Sequence, residues 1–445
     1  MALKTIRKDQ IRAGMWIDKI NGFWFFHPFW SAAFLLEHPD DVAALRRSRI
    51  PGVVIDTAKG LDVERADPPP ASTGPQPRSG APGRRAARAL PPLARKPAPR
   101  KAKAPPALCS MMAELGRAGR IVGKARKMMR QLFDEVRLGK TVHSERFVPL
   151  VDDIAASLLR NRSTMTSVLR LKQKDEYTYM HSVSVAALMI GLAQELGLQE
   201  TLVREAGMAG LLHDIGKMTI DDAILGKPGP LTSEEFALVK SHPERGHALL
   251  RQDDDVAGAV MDVALHHHEK VDGTGYPHRL KDEDIGLLAR MGAICDVYDA
   301  VTSNRPYKAP WTPAEAIREM REWEGHFDAD LLDAFVRTMG LYPVGSLVRL
   351  ESGRMALVIE ANRADPARPA VRVFAEADRL TALPVEDVAL ESGTDTIAEA
   401  EHPETRGLDD WEELWPKLAR LPKGRIFDCL SAAPPAEEMP QLRYG

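Results

Sequence analysis

The sequence predicts a mainly α protein: a helical core, a small α+β domain ahead of it and a small β module behind it. Three observations carry this. From Ser110 to Gly340 the apolar residues recur at helical spacing almost throughout. After Tyr342-Pro343 the period changes to that of strands. From Pro68 to Ala107 the chain is rich in Pro, Ala and Arg and has no acidic residue. Such a stretch buries too little apolar surface to offset its ordering entropy, so it reads as a disordered or semi-extended linker.

Taken in order, Leu3 to Val63 makes a small unit. The strand-like pieces Met15-Trp16-Ile17 and Val53-Val54-Ile55 flank an aromatic cluster, Phe23-Trp24-Phe25-Phe26 with Phe29-Trp30, and a helix is expected from Asp40 to Arg47. In the helical block, Phe147, Leu150, Val151, Ile154, Leu158 and Leu159 form one apolar set. Gly197 should stop a helix beginning near His181. Thr232 with Glu235 reads as a capping box, and Thr312-Pro313 with Glu315 as another, with proline at the first helical position. Ile285 to Val301 is apolar nearly all round, the mark of a buried helix. Beyond, Val348 to Leu350 and Met355 to Ile359 read as a hairpin around Ser352-Gly353, and Val371 to Phe374 as a further strand. Asp409 to Leu421 is expected to be a last helix, bent or started at Pro416. The expected division is 1–65 (small α+β domain), 66–109 (linker), 110–340 (helical domain), 341–400 (β module) and 401–445 (C-terminal helix and tail).

Composition narrows the function. Over 445 residues the net charge is only -3, which argues against nucleic acid as a partner of the whole molecule. The basic run within the linker, such as Arg84, Arg85, Arg88, Lys101 and Lys103, reads as a solvated tether. Cys109, Cys295 and Cys429 lie far apart with no C-x-x-C pair, which fits a reducing cytosol and argues against a thiolate metal site. The most apolar stretch, Phe23 to Leu36, is too short for a membrane span and is interrupted by His27 and Pro28. No basic region followed by an apolar core marks a secretion signal, so a cytoplasmic location is expected.

Most of the 13 histidines fall between residues 181 and 278. His181, His213-Asp214, His242, the run His266-His267-His268 and Asp296 offer imidazole and carboxylate, ligands for divalent iron, manganese or zinc. Two adjacent cations need a bridging oxygen, and Asp214, next to an imidazole, is the candidate bridge. Each candidate falls at or near the end of an expected helix, so several helices can converge on one site. Three successive helical side chains cannot all face one point, which leaves His266 ambiguous. His247, His278 and His326 read as surface or packing histidines.

Leu212-His213-Asp214-Ile215-Gly216-Lys217, the segment Ile224 to Thr232, and His267-His268-Glu269-Lys270-Val271-Asp272-Gly273-Thr274-Gly275-Tyr276-Pro277 resemble the HD-GYP family of cyclic di-GMP phosphodiesterases. The likeness continues through Asp296-Val297-Tyr298-Asp299-Ala300 and Arg305-Pro306-Tyr307, covering roughly 110–340. Leu3 to Val63 resembles, more weakly, the small domain often found ahead of such enzymes. The resemblance implies the helical core of HD-superfamily metal-dependent phosphohydrolases. It implies metal ligands at His181, His213, Asp214, His242, His267, His268 and Asp296. It places Lys217 near the substrate phosphate, nucleotide contacts at Gly275, Tyr276 and Pro277, and phosphate contacts at Arg305 and Lys308. Some members carry a glutamate four residues before the first ligand histidine, where it helps hold a third metal. Here that residue is Tyr177, so two divalent cations, iron or manganese, are expected.

The implied reaction is attack on one phosphorus by a hydroxide activated between two metals, giving linear pGpG, GMP or both. Asp214 and Lys217 are the expected catalytic residues. Glu269 and Asp272 either orient ligand histidines or stabilise the glycine-containing loop. The alternatives are a catalytically weak cyclic di-GMP receptor or scaffold, and a hydrolase of another nucleotide. Protein partners are expected through the N-terminal domain and linker, and a homodimer is an expected assembly.

Overall fold

The computed structural model describes residues 3–21, 34–36, 42, 46, 52–62, 109, 111–162, 177–227, 231–303, 310–362, 364–393 and 395–427. It forms two compact units, Met1–Pro105 with Lys227–Phe236, and Pro106–Gly226 with Ala237–Gly445.

In the first unit, β1 (Leu3–Arg7), β2 (Trp16–Asn21), β3 (Phe34–Leu35) and β4 (Gly52–Asp56) form an antiparallel sheet ordered β1-β4-β2-β3. Alternation selects Ile17, Val53 and Ile55 for burial, with Ile6, Ile11, Met15 and Leu36 completing the core. The two expected strand pieces fall in β2 and β4. The aromatic cluster Phe23–Trp30, most of the helix expected over Asp40–Arg47, and the linker lie outside the described residues. The Thr232–Glu235 capping box is present: Glu235 N–H donates to Thr232 Oγ1 at 3.2 Å, and Thr232 N–H donates to Glu235 Oε2 at 2.7 Å.

The second unit begins with α1 (Met111–Arg137), α2 (Val148–Arg160), α3 (Tyr177–Glu195) and α4 (Glu200–Leu212). After α5 (Ser233–Lys240) come α6 (His242–Leu250), α7 (Gly258–His266), α8 (Leu287–Thr302), α9 (Pro313–Glu322) and α10 (Ala329–Met339). Helix α3 is the hub. It is buried continuously from Met180 to Ala193 and packs on α1, α2, α4, α8 and α10. It starts at Tyr177, four residues before His181, and stops at Gly197, whose φ of +67° lets Leu198 N–H turn back to Ala193 O at 3.0 Å. Helix α8 is buried from Leu288 to Ala300 apart from Arg290, which reaches Asp328 at 2.6 Å. On α2 the expected apolar set is buried except Leu159, 45 % exposed. Leu158 already faces inward, and its neighbour is rotated about 100° away. Helix α9 begins with its capping box formed and Pro313 in the first turn.

The β module contains β5 (Leu347–Leu350), β6 (Arg354–Glu360), β7 (Ala370–Glu376), β8 (Ala382–Ala389) and β9 (Ile397–Ala400), all antiparallel, ordered β8-β7-β6-β5-β9. The last helix, α11 (Trp411–Arg420), does not start at Pro416 but runs through it. Nor does it stand apart from the sheet. Trp411, Trp415 and Leu418 share one core with Met355, Leu357 and Phe374, each such buried side chain contributing about 1.5–3 kcal/mol. Arg372 anchors the helix end. Its Nη1 donates to the carbonyls of Leu418, Ala419 and Leu421 (3.2, 2.7 and 3.0 Å) while Asp387 pairs with Nε and Nη2. The orphan carbonyls of a helix C-terminus thereby receive a cation. Residues beyond 427 lie outside the described set.

Candidate metal centre

The helices bring the expected ligands together at their ends, with one exception. His213 caps the C-terminus of α4 and Asp214 starts the short 3-10 turn Ile215–Thr219. His242 is the first residue of α6, and His267 caps α7 with His268 just beyond. His181 is one turn into α3. Asp296 is the exception, near the middle of buried α8 rather than at an end. Gly216 makes the convergence sterically possible: a Cβ there would sit 2.0 Å from His242 O, so only glycine lets the turn press against the start of α6.

Two donor groups result. One comprises Asp214, His242, His267 and His268; the other comprises His181, His213 and Asp296; within each the ligand atoms lie inside 4.8 Å of one another. Asp214 faces both. Its Oδ1 is 3.2 Å from His242 Nε2 and 3.7 Å from His267 Nε2. Its Oδ2 is 3.3 Å from His213 Nε2 and 3.7 Å from His181 Nε2. Asp296 Oδ1 is 3.0 Å from His181 Nε2, and its Oδ2 is 4.0 Å from His268 Nδ1.

The tautomers follow from the far ring nitrogens. Nδ1 of His213, His242 and His267 faces the carbonyls of Gly210, Val239 and Val263 at 2.9, 2.7 and 2.9 Å, so each Nδ1 carries the proton and donates it. In the neutral rings the Nε2 lone pairs then point inward, and those of His242 and His267 meet at 3.3 Å. Two lone pairs at that distance repel unless a cation lies between them. Buried His213 Nε2 and Asp214 Oδ1 make no hydrogen bond. Polar atoms left so inside a protein cost about 1–3 kcal/mol each, which a divalent cation would remove. The residues present therefore fit a metal.

The electrostatics agree. Burial works against ionising Asp214, but Lys217, 2.5 Å away, and the neighbouring histidines outweigh it and hold the carboxyl well below the usual range. Burial pushes His242 down to about 4 and, with His267 and His242 alongside, keeps His268 well below normal, so both stay neutral as ligands must be. His181 differs. Burial pushes it down, yet Asp296 and Asp299 more than compensate and raise it to about 9. Without a cation this imidazole holds a proton between two carboxylates.

Asp299 is the residue the sequence reading missed. One turn after Asp296 on α8, its Oδ2 meets His181 Nδ1 at 2.8 Å and orients the ring. An Asp-x-x-Asp pair on one helical face was the available signal. His266 turns away from the centre, holding Asp262 Oδ1 at 2.7 Å and His278 Nδ1 at 2.9 Å. Glu269 and Asp272 serve the loop. Buried Glu269 accepts from the N–H groups of His278 (2.6 Å) and Leu280 (3.1 Å), and Asp272 accepts from Thr274 N–H and Oγ1. A Cβ on Gly275 would lie 2.5 Å from Glu269 Cα, which explains glycine where the loop folds over its own start. Tyr276 stacks on His268 with ring centroids 4.8 Å apart, and Pro277 follows across a cis bond. Arg305 and Lys308 lie outside the described residues, as does the Tyr177 side chain. His326 packs between Trp323 and Phe327.

Among the described residues, no helix is long and apolar enough to cross a membrane.

Comparison with known proteins agrees with this site. The HD domain model matches residues 150–331, and a domain of unknown function (DUF3391) matches 3–147. A cyclic di-GMP phosphodiesterase of Pseudomonas aeruginosa is 44% identical over 435 residues, 97% of this chain and 100% of the relative. A cyclic di-GMP phosphodiesterase response regulator of Xanthomonas campestris is 40% identical over 185 residues, 40% of this chain and 48% of the relative. A 3'3'-cGAMP-specific phosphodiesterase of Vibrio cholerae is 38% identical over 165 residues, 37% of this chain and 32% of the relative. With an HD domain, a DUF3391 region and a full-length relative of this kind, the chain belongs to the HD-GYP family of cyclic di-GMP phosphodiesterases.

Proposed function

We propose that this chain hydrolyses cyclic di-GMP to linear pGpG, GMP or both, at a centre for two divalent cations, iron or manganese. The observation that carries the reading is Asp214, whose two oxygens face two different donor groups. In this reading His242, His267 and His268 would hold one cation and His181, His213 and Asp296 the other, with Asp214 serving both groups. The bound cations would supply Lewis acidity toward the phosphoryl oxygens and lower the pKa of an attacking water. The chain's own residues do the rest. The backbone carbonyls behind His213, His242 and His267 fix each Nε2 toward the centre. Asp299 does the same for His181. Lys217, which donates to Asp214, would also meet charge developing on a phosphoryl oxygen. Tyr276 walls the centre beside His268, and Gly275 and Pro277 shape the loop that carries it. Arg305 and Lys308 complete the proposal as phosphate contacts. We also propose the boundaries read from the sequence as far as residue 340, with the last helix joined to the β module that follows, and a cytoplasmic location, where such a second messenger is used.

The test is anaerobic purification, elemental analysis and chromatography of products. We expect two metal equivalents per chain, turnover lost on chelation, and recovery with Fe²⁺ or Mn²⁺. Chelator-resistant turnover would sink the metal mechanism, and three equivalents at the centre would sink the metal count. Relatives specific for 3'3'-cGAMP make that nucleotide the competing substrate, to be assayed in parallel. Fully metallated protein that binds cyclic di-GMP without cleaving it would establish the receptor reading instead.

A further inference from the structure

The turn that follows Asp214 is held in 3-10 form from two sides. Across Ile215–Thr219 the bonds close three residues apart: Lys217 N–H donates to Asp214 O at 2.9 Å, and Ile220 N–H to Lys217 O at 3.1 Å. Such turns have poorer hydrogen-bond geometry than an α-helix and seldom run beyond about three or four residues, so this one needs support. Its near end leans on the backbone of α6, where a Cβ on Gly216 would sit 2.5 Å from Gly246 N. Its far end is held by side chains. Thr219 Oγ1 donates to Gly216 O at 2.9 Å. Arg245, one turn after His242 on α6, donates from Nη1 to Thr219 O at 3.1 Å and to Thr219 Oγ1 at 3.2 Å. That carbonyl closes the C-terminal end of the turn, where a cation is favoured. The turn type decides where Lys217 points. At three residues per turn, side chains three apart eclipse, whereas α-helical pitch would leave Lys217 about 60° short of Asp214. In the 3-10 register Lys217 Nζ stands over Asp214 and donates to its Oδ2 at 2.5 Å.

We propose that Arg245 and Thr219 are positioning residues for the reaction: together they clamp the turn in its 3-10 register and so keep the Lys217 ammonium over Asp214, where it meets the phosphoryl oxygens. The inference rests on the role proposed above for Lys217. Neither Arg245 nor Thr219 touches the substrate; both act through the backbone that carries Lys217. The clamp ties the turn to the helix whose first residue is His242, so Asp214, Lys217 and that imidazole are held as one block. Lys217 strengthens its hold on the phosphoryl oxygens as charge develops there, so a displaced ammonium weakens the transition state more than the bound substrate. Loss of the clamp therefore falls on kcat rather than on KM.

The experiment compares full-length wild type with Arg245→Met, Thr219→Val, Arg245→Lys and Lys217→Met. Hydrogen exchange on the metal-free protein reads the clamp itself. The amides of the turn should exchange about tenfold faster in Arg245→Met and about threefold faster in Thr219→Val, which keeps the carbonyl and loses the hydroxyl. With metal restored, kcat on cyclic di-GMP should fall by the same factors while KM and metal content hold, and Arg245→Lys should keep most of the rate. In the Lys217→Met background Arg245→Met should cost nothing further, because the lysine it positions is gone. Wild-type exchange and kcat in both Arg245→Met and Thr219→Val, beside a Lys217→Met that has lost turnover, overturn the clamp and leave the role of Lys217 standing. A loss in Arg245→Met that adds in full to that of Lys217→Met also overturns it, because the effect then lies elsewhere. Thr219→Val, at an exposed position, decides alone if Arg245→Met does not fold. Full turnover in Lys217→Met overturns the role of Lys217 and this inference with it. Bis(p-nitrophenyl) phosphate is assayed in parallel. A wild type that cleaves only this diester overturns the cyclic di-GMP reading, and the clamp is then judged by the same losses on the diester.

Discussion

The second unit buries carboxylates in two places, and it treats them in opposite ways. Glu114, near the start of α1, is fully covered. The protein satisfies it completely: Arg160 donates to both oxygens at 2.9 and 2.6 Å, Ser157 Oγ donates at 2.9 Å, and Arg117 and Cys109 Sγ also approach. Arg160, set against the cost of burial, holds the carboxyl down to about 2. Asp214, also buried, leaves Oδ1 without a hydrogen bond and confronts the Nε2 lone pairs of rings whose Nδ1 protons are already donated to backbone carbonyls. One network closes on itself and ties α1 to α2. The other is complete only with cations. Burial of charge alone therefore does not mark a functional site; burial with unfilled acceptors does.

Asp214→Ala should separate the two most sharply. We expect loss of turnover by at least about 10³-fold together with loss of bound metal, because one side chain serves both donor groups. Near-normal turnover in that variant would refute the bridging assignment. Asp299→Asn is the next largest. It keeps a side chain of the same shape but weakens the hold on His181 Nδ1, and the expected cost is about 10–100-fold in metal affinity. Equilibrium dialysis against a metal buffer measures it, and an unchanged constant would reduce Asp299 to a packing residue.

The pH dependence is gentler. His181 is raised to about 9 without metal, so its proton must leave before the ring can bind a cation. Metal affinity should rise by up to about tenfold per pH unit from pH 7 and flatten near 9. The metal-free protein should move the opposite way. A histidine raised by its partners contributes stability that is fully present below its unfolded value of 6.5 and is lost as pH rises through about 9. Metal titrations and thermal melts across this window check both signs, and a pH-independent metal affinity would exclude a protonated His181. Glu114→Ala should change turnover least. It leaves Arg160 under-paired, but that side chain is 20 % exposed and can turn to water, so we expect about 2–3 kcal/mol of lost stability by urea unfolding, with turnover of the folded enzyme retained. A loss of turnover comparable to that of Asp214→Ala would erase the distinction between the two networks.

Much of this was legible in the sequence because it depends on local rules. The capping boxes at Thr232 and Thr312, the stop at Gly197 and the buried character of α8 follow from spacing and backbone chemistry within a few residues. The ligand types and the candidate bridge followed from adjacency in His213-Asp214. Other features did not follow. Asp296 was expected near a helix end and is near the middle of α8. Asp299 stood in a quoted motif without a role until its oxygen was found on His181, 118 positions away. Glu269 and Asp272 were left between two roles, and the N–H groups of His278 and Leu280 decide for the loop. The last helix was read apart from the sheet, because nothing local says that Trp411 and Trp415 meet Phe374 and Met355.

By itself, then, the sequence determined part of the inventory: several of the helices and strands, some of their caps and stops, and which side chains have the chemistry to hold a metal. These are short-range properties, set by propensity, periodicity and the capping of backbone groups. Only the tertiary structure decided which of those side chains meet, which nitrogen of each ring faces inward, and which buried carboxylate is already satisfied. Those are properties of packing. A hydrogen bond from Nδ1 to a carbonyl one turn away fixes a tautomer, but the point where three Nε2 lone pairs converge exists only once α4, α6 and α7 have packed together.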